Sequence, residues 1–153
     1  LRAAQERAAA MAAGPAQAIS WGTIYAYDDS NRLVASGYGT VFKSTFSGDQ
    51  LAVRPTYTDR RDNSHAFYTQ AKWYFNGTYC YSSGEGSVGC GSGWYSAGKS
   101  ESSRTTGTKT VNLYKPLKGT ADSARAGIQV CEDQGRLNPD ECTYGETFRG
   151  ISY

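Results

Sequence analysis

The chain has 153 residues, enough for one domain with its own core and cramped for two. With 16 Lys and Arg against 14 Asp and Glu, the net charge is +2, and no basic cluster is dense enough to bind nucleic acid. No apolar run reaches the roughly 20 residues a membrane-spanning helix needs, so membrane insertion is not expected either.

Residues 1–18 form a first region, an N-terminal arm. Its Ala, Gln, Glu, Arg and Met residues favour helix, and Gly14-Pro15 would stop one. Its only large apolar side chains are Leu1 and Met11. A short helix with almost no apolar face is marginal alone in water. The arm is therefore expected either as a tail or as a segment ordered on a partner, through Leu1, Arg2, Arg7 and Met11.

From residue 19 to 153 the composition shifts to Tyr, Thr, Gly, Ser and Val. The chain holds 12 Tyr, 3 Trp and 18 Gly, which reads as short strands punctuated by turns. Strands are predicted over 19–27, 33–44 and 51–58, with Pro55 marking an edge or a bulge in the third. Residues 58–64, including Arg60-Arg61, read as a polar loop. Over 66–76 the period of two is the clearest in the chain. It sets Phe67, Thr69, Ala71, Trp73 and Phe75 on one face. Asn76-Gly77-Thr78 matches a glycosylation acceptor, but Asn-Gly also makes a hairpin turn, and the turn reading is preferred. Residues 79–81 and 94–97 flank a Gly-rich segment, 98–107 reads as a mobile loop, and 109–114 and 124–131 as strands. A short strand is predicted over 144–151. Seven to nine such strands define an all-β fold, a β-sandwich or open barrel, of which the sandwich is preferred.

The four cysteines are Cys80, Cys90, Cys131 and Cys142. They allow three pairings, and the sequential one closes the shortest loops. Each bridge would add roughly 2.5–3 kcal/mol in the chain-entropy account. Their spacings are too long for a zinc knuckle, so disulfides in an oxidising compartment are expected, with no metal and no cofactor. The chain begins at Leu1 rather than Met and reads as a mature, secreted, extracellular protein.

Candidate chemistry is sparse. His65 is the single histidine and would have to serve as the base of any Ser-His-Asp site, but it reads as an ordinary junction residue. The carboxylates Asp28-Asp29, Asp59/Asp62, Glu132-Asp133 and Asp140-Glu141 fall in predicted turns, where they cap backbone groups. Trp94-Tyr95, or Tyr79 with Tyr81 around Cys80, could form a stacking platform for a sugar. The plainer reading is that they cover the sheet.

Ala-Arg-Ala-Gly-Ile-Gln-Val-Cys-Glu-Asp at 124–133 and Asn-Pro-Asp-Glu-Cys at 138–142 are similar to segments of small secreted actinobacterial proteins. Within that group the chain resembles the small β-sandwich subunit of the Streptomyces umbrella toxin particles, used in antibacterial competition. That resemblance implies an adaptor joining a large repeat-containing toxin protein to a lectin-bearing subunit. The expectation is therefore a non-catalytic binding subunit, not an enzyme. It would act through its arm and its β domain, including Trp94 and Tyr95. The alternatives are a carbohydrate-binding module and a secreted inhibitor or small hydrolase.

Overall fold

A computed structural model describes residues 18–61, 65–82 and 84–153. The described chain is all-β, with strands β1 (Ile19–Tyr27), β2 (Leu33–Ser44), β3 (Gln50–Asp59), β4 (Phe67–Ser82), β5 (Val88–Glu101), β6 (Thr108–Thr110), β7 (Leu113–Pro116), β8 (Ala121–Glu132), β9 (Glu141–Cys142) and β10 (Thr147–Ser152). Two five-stranded sheets face each other. The first runs β1-β2-β3, with β6 and β7 in succession along the far side of β3. The second runs β10-β8-β4-β5, with β9 also on β8. Each strand pairing is antiparallel.

The period-two reading of 66–76 holds. Phe67, Thr69, Ala71, Trp73 and Phe75 all point into the core. Large residues sit beside small ones across the ladder, Trp73 opposite Ala126 and Phe75 opposite Ala124, so the layer fills without crowding. Trp21, Val41, Leu51 and Val53 of the first sheet close on this layer. Gly39 permits it, because a Cβ there would lie 2.7 Å from the Trp21 indole. A second cluster holds Tyr57 edge-on to Phe67 at 5.3 Å, tying β3 to β4 across the sandwich.

Several expectations need correction. Among the described residues there are ten strands rather than about seven to nine, because 109–114 divides into β6 and β7 and the short β9 joins β8. Pro55 lies in an interior strand, paired with Gly39 on one side. It is tolerated because its other neighbour is interrupted there, with β6 ending opposite Thr56 and β7 beginning opposite Val53. Asn76-Gly77 is not a turn but the middle of β4, where Gly77 lets the backbone of Thr120 and Ala121 approach. The segment 98–107 is not one loop, since β5 runs on to Glu101.

The end of the sandwich is closed by charge. Arg61 of the predicted polar loop donates to Asp28 after β1 and, at 3.3 Å, to Glu132 Oε1 at the end of β8. Arg60 donates to Ser36 at 2.8 Å. The pair thus anchors buried groups rather than decorating a solvated loop. Glu132, expected in a turn, is fully buried.

Candidate recognition surface

β4 and β5 outrun the sheet they belong to. Pairing of β8 with β4 stops at Ala121–Gly77, whereas β4 and β5 continue to pair as far as Ser82–Val88. Past Gly77 the two strands form a ribbon with no third strand among the described residues. A two-stranded ribbon is marginal in water by itself. Here Cys80 and Cys90 face each other in register and are joined by a disulfide. Gly84 and Gly86, both at positive φ, turn the chain at the tip. The second bridge, Cys131–Cys142, joins β8 to β9. The sequential pairing is thus the one found, and no cysteine is left free.

Alternation gives the ribbon two different faces. One carries the Cys80–Cys90 bridge. The other continues the core outward as a run of rings. Phe75 lies 6.1 Å from Tyr95, Tyr95 lies 5.3 Å from Tyr79, and Tyr79 lies 6.3 Å from Tyr81. Glycines opposite them make room. A Cβ at Gly91 would lie 3.0 Å from the Tyr79 ring, and one at Gly89 would lie 2.7 Å from the Tyr81 ring. The run starts in the core and ends in solvent at Tyr81, 55% exposed, while Val88, 72% exposed, stands opposite Ser82 on the face of the bridge. At its base the Lys118 ammonium sits 5.5 Å from the Tyr95 ring, and the Tyr153 hydroxyl donates to the Lys118 carbonyl at 2.7 Å. Burial pushes the Tyr153 phenol up from its ordinary value. Among the described residues β5 is also the edge strand of its sheet, the position at which another chain can add a strand.

Trp94 and Tyr95 are adjacent on β5 and so point to opposite faces. They do not form a single platform. Tyr95 belongs to the run just described. Trp94 stands on the outer face of the sheet, over Arg125. Tyr79 and Tyr81, the other pair read from the sequence, do share a face. Leu1, Arg2, Arg7 and Met11 lie outside the described residues.

His65 lies in the charged closure, its Nδ1 3.4 Å from Glu132 Oε1. The carboxylates expected in separate turns converge there. Glu132 Oε1 also accepts from Gln134, and Gln134 reaches Glu141 at 3.4 Å. Burial and the neighbouring Glu132 raise the Glu141 carboxyl, while the Arg32 backbone N–H and then Arg61 hold Asp28 down to about 2. This is the electrostatics of a structural closure, with Arg61 shared between Asp28 and Glu132 and Arg32 also paired with Asp28. Among the described residues no His, Cys, Asp and Glu group is arranged to hold a metal ion. Arg125 and Phe148, not among the candidate site residues read from the sequence, prove central to the outer face. Only the pairing register of β4, β8 and β10 joins them to Trp94, and that register is non-local.

Fold and surface define a disulfide-stapled, two-sheet β domain that carries a protruding aromatic ribbon. Compared with protein-family models, curated protein sequences and solved structures, the chain matches none.

Proposed function

We propose that the chain is a secreted, non-catalytic binding subunit that joins protein partners in an extracellular assembly. One observation carries this reading: a cross-linked ribbon projects Tyr79, Tyr81 and Val88 beyond the body of the domain. Tyrosines offer large contact area at low cost in side-chain freedom, and the bridge removes much of the ordering cost that docking would otherwise carry. Two disulfides fit an oxidising, extracellular setting. Residues 1–18, poor in self-burying side chains, supply the second attachment. The resemblance of 124–133 and 138–142 to umbrella toxin subunits supports partners of that kind, a repeat-containing toxin protein and a lectin-bearing one.

The test is affinity capture from the culture medium of the producing organism, read by mass spectrometry. Wild type, Tyr79→Ser/Tyr81→Ser and a chain lacking residues 1–17 are compared. Two large secreted proteins should co-purify with wild type. The tyrosine variant should lose one and the truncation the other, with thermal stability nearly unchanged in the truncation. Equal recovery with all three proteins sinks the adaptor reading.

A further inference from the structure

The outer face of the second sheet brings together side chains that lie far apart in sequence. Tyr74 pairs with Arg125, Arg125 with Gly150, and Asn76 with Trp94. Gly150 keeps the layer flat, since a Cβ there would lie 2.6 Å from the Arg125 Cβ. The Arg125 guanidinium is held in an aromatic frame, 4.3 Å from the Trp94 ring centroid, 4.7 Å from Phe148 and 5.5 Å from Tyr74. Its Nε is enclosed and has no acceptor among the described residues.

The charge there is not neutralised from within. Among the described residues neither Arg125 nor Arg149 forms an ion pair. Arg149 donates only to backbone, to the Ser20 carbonyl at 3.2 Å and the Phe148 carbonyl at 2.7 Å. The neighbouring carboxylates are otherwise engaged. Glu146 takes Lys72 at 2.7 Å and the Tyr74 hydroxyl at 3.3 Å, and Asp122 accepts from Ser123 at 3.1 Å. Beside the two arginines runs a groove of about 290 Å³, lined by Trp94, Ser123, Arg125, Phe148, Arg149 and Ser152.

We propose that this groove binds a carboxylate-bearing sugar ring, a uronic acid residue of an acidic polysaccharide. The flat apolar face of a pyranose stacks on Trp94, which is 41% exposed. The carboxylate takes the charge of Arg125, for which a planar two-oxygen acceptor is the best geometric match, while Arg149, turned on β10 toward the Ser20 carbonyl, adds its charge at the rim of the groove. Ser123 and Ser152 meet ring hydroxyls. The volume suits one or two sugar rings and not an extended peptide. The groove faces away from Tyr79 and Tyr81, so this site does not depend on the protein-docking role of the ribbon.

Tryptophan fluorescence reads the site directly. Trp21 and Trp73 are buried in the core, so a ligand-dependent change reports on Trp94. The folded protein is titrated with trigalacturonate, with a neutral trisaccharide of the same size, with sodium acetate and with sodium sulfate. Saturable quenching is expected with trigalacturonate alone at matched ionic strength. Arg125→Gln should weaken it about tenfold or more. Trp94→Phe, which keeps a ring in the frame, should abolish the optical signal while calorimetry still detects binding. Arg149→Gln, at an exposed position, provides a second charge deletion should Arg125→Gln fail to fold, and should also weaken binding. Saturation by the neutral sugar to the same degree overturns the assignment of the arginines. Equal saturation by acetate or sulfate shows an adventitious ion only and overturns the sugar assignment. No binding of trigalacturonate to wild type overturns the site.

Discussion

The two disulfides close loops of almost equal size, with sequence separations of 10 and 11, so loop entropy alone assigns each about 2.8 kcal/mol. For a domain of this length that amounts to a fall in Tm of about 10 °C on removing either. Their positions in the fold break the tie. Cys131 is fully buried in β8, between Val130 and Glu132, and holds β9 against the end of the sandwich. Replacing Cys131 and Cys142 by Ala should cost the whole loop term. Cys80 and Cys90 staple a ribbon that pairs only with itself past Gly77. Once Cys80→Ser/Cys90→Ser removes the staple, the ribbon can open while the sandwich stays folded. The native ensemble then regains much of the same chain entropy as the unfolded one. The loss of global stability should be half of the loop term or less, about 1.4 kcal/mol and about 5 °C. Urea unfolding followed by tryptophan fluorescence measures the global term, because Trp21 and Trp73 lie in the core. Limited proteolysis measures the local one, with new cleavage expected only within the ribbon, between Thr78 and Ser92. If the two double variants lose equal stability and the tip stays resistant, the ribbon is not an independent unit, and its proposed role as a presented element fails with it.

Gly77→Ala should destabilise by about 1–3 kcal/mol, because its Cβ would sit 2.6 Å from the Ala121 Cα, and chemical denaturation gives the value directly. Phe67→Ala removes the ring that meets Tyr57 across the sandwich and should cost about 3–5 kcal/mol by the same measurement. Asp28 titrates near 2 when folded, below its ordinary value of 3.8, so it stabilises the fold above pH 4. That contribution is lost as pH falls toward 2, and Asp28→Asn should flatten this part of a Tm-against-pH curve. Glu141 runs the other way, since its raised value means that the folded state disfavours its charge as pH climbs past 4.5. Glu141→Gln should hold or raise Tm at neutral pH, and a clear fall there would contradict the assignment.

Local pattern carried much of the fold. β1 and β2 begin and end at the residues predicted, and the alternation through Phe67, Thr69, Ala71, Trp73 and Phe75 does pick out the buried face. What misled were residues whose usual local meaning gave way to tertiary contact. Asn76-Gly77 has turn chemistry, yet the glycine serves close approach by β8. Pro55 lacks a donor, yet an interruption in the neighbouring strand leaves that donor unneeded. Asp28, Arg61 and Glu132 each look like surface charge in sequence. They meet only because the ends of three strands are brought together, across separations no window could span. The exposed aromatic run was half legible. Tyr79 and Tyr81 share a face by spacing, but that the face leaves the sandwich depends on where β8 stops pairing.

Trp94 and Tyr95 show why the longest strand pair matters most. Side by side in sequence, they cannot serve one ligand, because β5 sends them to opposite faces. Tyr95 connects the core to Tyr79 and, through it, to the exposed tip. Trp94 walls a groove whose charge comes from β8 and β10. A strand paired on one edge only is well suited to this division. Its free edge and its unaccompanied end leave both faces open, while β4 keeps each in register. The glycines of β5 serve both faces. Gly89 and Gly91 yield space to the tyrosine rings, and Gly93 at positive φ precedes Trp94 at the base of the ribbon. Side chains at Gly89 or Gly91 would therefore displace the rings of the tip without touching the groove. A variant such as Gly89→Val should impair protein capture and leave the Trp94 titration unchanged. Loss of both together would mean that the two faces are not separate surfaces.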